Sequence, residues 1–195
     1  MTQPMTRPPS HELNPRSIVH SLVDDTLDRL TDSTGRVSET PLEKLQSLRI
    51  GNSEERIPTL KAALDALPAG TGINVELKES GMVDDVAPLL RELDQEVLVS
   101  SFESEALAEF ARESIPTAYL FAGSGSESVE TAVELGCNSI HPLYELVDES
   151  LIEQAREHGF TVNAWTVPTT EDVVELRELG VDGVIVDDWL IVPEG

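Results

Sequence analysis

Residues 149–187, "ESLIEQAREHGFTVNAWTVPTTEDVVELRELGVDGVIVD", read as helix, strand, helix, strand. In "ESLIEQAREHG" the apolar residues fall at 151, 152 and 155 with charged residues elsewhere, which makes one face of a helix over 148–158; Gly159 stops it. "VNAWTV", 162–167, is a strand. "TTEDVVELRELG" repeats the helical pattern over 170–179, with Thr170 as its N-cap and Gly180 as its stop. "GVIVD", 183–187, is the next strand. Strands joined by helices of this length belong to βαβ units, whose strands run parallel.

The same rhythm extends upstream. Strands are expected at 73–78, 97–102, 117–121 and 139–143, and helices at 83–93, 104–112 and 126–135. Consecutive units without a dinucleotide fingerprint favour a (β/α) barrel over a doubly wound sheet. Before residue 56 the pattern changes. Residues 1–17 are proline-rich and read as an irregular segment, and "SIVHSLVD" at 17–24 hints at a strand. Residues 26–60 are rich in turns, with a short helix in "TPLEKLQSL" capped by Thr40, and "TLKAALDAL" at 59–67 forms another helix. The expected fold is α/β, a (β/α)8 TIM-barrel type that is incomplete and lacks the first one or two βα units, carried by one domain over 18–195. Strand number, tilt and stagger are linked in a barrel, so six strands cannot close it. The strands at 73–78 and 183–187 would keep free edges, and a second copy of the chain is the expected partner.

Charge sets the surface. Thirteen basic residues against 37 acidic ones give −24, and the only lysines are Lys44, Lys61 and Lys78. Such a surface repels nucleic acid and anionic membranes. No apolar run has the length of a membrane span, and the N-terminus has no apolar core of the signal-peptide type, so a cytoplasmic protein is expected. The acids are spread along the chain, and an acidic, lysine-poor surface on an ordinary core is similar to that of proteins from salt-rich cells. The single cysteine, Cys137, excludes an internal disulfide and reads as a buried small hydrophobe.

In a parallel barrel the chemistry sits at the C-terminal ends of the strands. Those ends carry Glu76 and Lys78, then Ser100, Ser101 and Phe102, then His141, then Trp165 and Thr166, then Asp187. Glu76 and Lys78 share one face of their strand. They suit either a structural ion pair or a site in which a carboxylate meets a hard cation and a lysine meets a phosphate oxygen. His141 is expected as a packed or rim histidine and Trp165 as core or pocket. Asp187 is expected to bond a loop, Ser100 and Ser101 to cap the following helix, and Trp189 to pack at the barrel's bottom or rim.

"VDDTLDRLTDSTGRV", "RIPTLKAAL", "INVELK", "VLVSSF", "VNAWTV" and "GVDGVIVD" occur in the order and at the separations found in glycerophosphodiester phosphodiesterases. The chain resembles that family over about residues 18–190. The resemblance implies metal-dependent hydrolysis of glycerophosphodiesters to glycerol 3-phosphate and an alcohol, with Mg²⁺ or Ca²⁺ as cofactor. It implies that Glu76 is a metal ligand, that Lys78 binds the phosphate and that Trp165 lines the glycerol pocket. It also shows departures. The family's two acid–base histidines lie in a His-Arg-Gly motif, absent from this chain, and in a His-Asp pair that reads Val23-Asp24 here. His20 would face the other side of its strand, and Glu12 in "HELNP" only vaguely matches a second metal-binding strand. No catalytic residue is therefore assigned. The readings left are a phosphodiesterase, a catalytically silent relative that binds a phosphate-bearing ligand or oligomerises, and the product of a shortened gene.

Overall fold

The computed structural model describes residues 26–193. The strand expected at 17–24, and with it His20, Val23 and Asp24, lies outside the described residues, as do Glu12 and the rest of the segment 1–17, expected to be irregular. Six strands form one sheet: β1 (Ile73–Leu77), β2 (Val97–Ser101), β3 (Thr117–Phe121), β4 (Ser139–Pro142), β5 (Thr161–Ala164) and β6 (Gly183–Val184). All neighbours pair in parallel and in chain order. Helices α1 (Leu42–Leu45) and α2 (Leu60–Ala66) precede the sheet. The strand connections carry α3 (Val83–Arg91), α4 (Ser104–Phe110), α5 (Gly125–Leu135), α6 (Glu149–His158) and α7 (Thr170–Leu179).

Alternation along the strands gives the sheet two unlike faces. Ile73, Leu77, Val99, Phe121, Ile140 and Val162 point toward the helices and are buried in the apolar cores there. Asn74, Glu76, Ser100, His141 and Asn163 take the opposite positions and face inward. One core holds β1, β2 and α3 with Phe110 of α4; the other holds β3 to β6 and α5 to α7 with Leu107 of α4. Inward curvature is visible in one contact. Phe102, just past β2, meets Trp165, just past β5, with ring centroids 5.3 Å apart. In a flat sheet strands three places apart lie roughly 14 Å from one another, so the sheet is curled as part of a barrel wall.

Helices α5, α6 and α7 each end on a left-handed glycine, Gly136, Gly159 and Gly180, at φ of 68°, 76° and 95°, whose N–H returns to the last turn. A side chain there would strain the backbone. Several expected boundaries shift. Helix α7 is capped by Thr169, whose side chain accepts from Asp172 N–H, while Thr170 donates its hydroxyl to Ile191 O at 2.8 Å. Thr40 does not cap α1. It precedes the cap position, which Pro41 holds, and its hydroxyl turns back to Arg36 O at 2.8 Å. Strand β6 is shorter than 183–187, although Ile185 still donates to Ala164 O at 2.8 Å. Helix α4 stops at Phe110 and continues as a 3-10 turn to Glu113, closed by left-handed Ser114. Trp189 is not packed: it is 74% exposed, beyond the C-terminal end of β6.

Candidate binding site at the strand ends

Glu76 is the inward residue of β1 level with Ser100 on β2. Two residues on, Lys78 and Phe102 leave those strands on the same inward side. Lys78 Nζ donates to Glu76 Oε1, so the structure brings the two charges into one ion pair. Their side chains are 38% and 22% exposed. A pair this open to water contributes roughly 0–1 kcal/mol to the fold. Either group can therefore turn to a ligand at small energetic cost. The loop that follows is fixed from α4, where Gly81 N–H donates to both Glu109 carboxylate oxygens at 2.9 and 3.1 Å.

Trp165 is half-buried between the strand exits. Its indole Nε1–H donates to His141 O at 2.7 Å, and the Phe102 ring meets it edge to face at 90°. Such an aromatic pair adds about 0.5–1.5 kcal/mol beyond area burial. His141 is packed, 1% exposed, beneath this level. Asn163 Nδ2 and His141 Nε2 lie 3.0 Å apart; with the amide as donor, Nε2 accepts and Nδ1 carries the proton. Burial lowers the imidazole pKa to about 4, so it is neutral at pH 7. His158 closes the last turn of α6, at the opposite end of the sheet.

The serines behave differently from the capping expectation. Ser101 Oγ donates to Leu77 O at 2.7 Å and accepts from Glu103 N–H at 3.0 Å, which ties β2 to β1 at the start of the turn. Ser100 Oγ is buried and, among the described residues, has no partner. Asp187 is exposed; the loop bond falls to Asp188, which accepts from Leu190 N–H at 2.9 Å. Cys137 is buried, and burial pushes its thiol pKa up. In the sequence Phe102 stands at a strand end without a role, and nothing but its phase marks Asn163 out. The available signal for both was their inward phase, one strand over from Lys78 and two residues before Trp165.

Mg²⁺ and Ca²⁺ take about six to eight oxygen ligands, usually with more than one carboxylate in a protein-built cage. Among the described residues no group of three His, Cys, Asp or Glu side chains is placed to hold a metal ion. These residues alone do not fit the cation.

A curled parallel sheet with a carboxylate, an ammonium and an aromatic pair at its C-terminal end is the architecture of a partial (β/α) barrel. The chain belongs to the glycerophosphoryl diester phosphodiesterase family, whose model matches residues 18–190. It is 30% identical over 187 residues to YhdW of Bacillus subtilis, an alignment that takes in 86% of this chain and 77% of that one. It is 27% identical over 181 residues to the glycerophosphodiester phosphodiesterase of Caldanaerobacter subterraneus subsp. tengcongensis, covering 85% and 74% of the two chains. Among solved structures it is similar to an Oleispira antarctica phosphodiesterase in complex with its product, sn-glycerol 3-phosphate. The TM-score is 0.75 at 28% identity, with 84% and 73% of the two chains covered. The barrel-type fold expected from the strand-helix rhythm is thus observed, with six parallel strands forming part of the wall.

Proposed function

We propose that the mouth of this sheet binds the glycerophosphate group of a glycerophosphodiester, with Lys78 on the phosphate and Trp165, backed by Phe102, against the glycerol. The observation that carries the reading is the common inward exit of Lys78 and Phe102, with the Phe102 ring in contact with Trp165. The Oleispira antarctica relative holding sn-glycerol 3-phosphate supports the choice of ligand. Glu76 is the carboxylate that would face an Mg²⁺ or Ca²⁺ ion; since the described residues do not complete such a site, no step is routed through a metal. With no assigned general acid or base, binding without efficient turnover is the form of the function best supported.

Calorimetric titration with sn-glycerol 3-phosphate tests this. Binding by the wild type is expected, and Lys78→Ala should weaken it by about ten- to a hundredfold, the range for loss of a charge-assisted hydrogen bond. A wild type that binds nothing, or a Lys78→Ala protein that binds as well as the wild type, would remove the reading.

We also infer a salt-rich cytoplasm as the setting, from the charge of −24 and the scarcity of lysine. Among the described residues no helix is long and apolar enough to cross a membrane. Screening shortens from about 10 Å in 0.1 M salt to about 3 Å at 1 M. The melting temperature should accordingly climb between about 0.1 and 2 M KCl; a flat or falling value over that span would count against the inference.

A further inference from the structure

We propose that His141 is a positioning residue that sets the orientation of Trp165, braced by Asn163 in a space kept open by Gly183. Three hydrogen bonds join Trp165 to the end of β4. Its N–H donates to Pro142 O at 3.0 Å, its carbonyl accepts from Tyr144 N–H at 2.7 Å, and its indole Nε1–H donates to His141 O at 2.7 Å. Only the last reaches the ring. The angle of the indole therefore depends on where the His141 peptide carbonyl sits.

The His141 side chain fixes that carbonyl from within. Asn163 lies two residues before Trp165, on the same inward face of β5, and its amide meets His141 Nε2 at 3.0 Å. His141 is thus tied to β5 twice, by its imidazole to Asn163 and by its carbonyl to Trp165. The carbonyl tie would be open to any residue there, whereas the imidazole tie needs a polar side chain, and Leu120 fills the position level with His141 on β3 without one. Gly183 is the residue of β6 level with Asn163. A Cβ at Gly183 would stand 2.4 Å from Asn163 Oδ1, so the amide rests where a side chain is missing. Any residue larger than glycine drives the tip of Asn163 aside, and because that tip is the end of a side chain, the backbone need not move.

The positioning itself stands apart from the function; that the positioned ring walls a glycerol pocket rests on the reading proposed above. The chain has two tryptophans, so Trp189→Phe leaves Trp165 as the sole indole fluorophore. In that background Gly183→Ala and His141→Leu should shift Trp165 emission to longer wavelength and weaken its near-ultraviolet circular dichroism, with far-ultraviolet spectra unchanged. Both should weaken sn-glycerol 3-phosphate by about tenfold, the order of one lost hydrogen bond, and leave inorganic phosphate, held by Lys78, unaltered. Wild-type Trp165 spectra in both variants would overturn the proposal. Should His141→Leu fail to fold, Gly183→Ala decides alone. A parent protein that binds neither phosphate probe defeats the functional reading, and the emission spectra still decide this one.

Discussion

Glycerophosphocholine mixed with this chain and Mg²⁺ or Ca²⁺ is expected to release glycerol 3-phosphate at least about four orders of magnitude more slowly than an intact two-histidine phosphodiesterase would, taking 10²–10⁴-fold for each acid–base group. By resemblance Val23 stands at one histidine position, and valine carries no transferable proton. The two imidazoles among the described residues do not replace it. His141 is 1% exposed, held neutral by burial and engaged with Asn163. His158 sits in the last turn of α6, at the far end of the sheet from Lys78. A chromogenic or enzyme-coupled assay for glycerol 3-phosphate reads this directly. Clear release that disappears in Glu76→Ala would show that an acid and a base operate at this mouth after all.

The second large effect concerns molecular mass. Among the described residues, strands β1 and β6 each have one partner strand in the six-stranded sheet. An unpaired parallel edge offers a row of backbone donors and acceptors to any other chain, and a copy of the same sequence is the partner always present. Multi-angle light scattering in high salt, where a charge of −24 no longer keeps copies apart, is expected to report a dimer. A cooperatively melting monomer would mean that the edges are covered from within the chain.

Most of the sheet was legible because its signals are local. Apolar alternation, helical periodicity at 151, 152 and 155, and glycine stops at 159 and 180 each act within one element, and the elements appear where those patterns lie. Caps were less legible: Thr169 and Thr170 are adjacent and chemically identical, and only the return of Ile191 past α7 assigns Thr170 its other bond. For the site, the Glu76–Lys78 pair follows from strand phase alone. The Phe102–Trp165 contact does not, because it depends on curvature summed over three strand spacings. Asn163 escaped for a related reason, since its partner lies on another strand and its space is created by a glycine on a third.

The division of the apolar interior into two clusters has a consequence for how the molecule opens. Helix α4 is the seam, giving Phe110 to one cluster and Leu107 to the other. Two such clusters can behave as separate cooperative units, each opening at its own free energy. Glu76 and Lys78 ride on the side of the cluster containing β1, and Trp165 on the side of the cluster containing β5, so the two ends of the mouth belong to different clusters. A ligand gripped by both ends would act as a clamp across the seam. Its binding energy would add to the stability of the junction itself, raising hydrogen-exchange protection in β1 and β2 together with β5, whereas inorganic phosphate, held on one side only, would protect one unit and leave the other as it was.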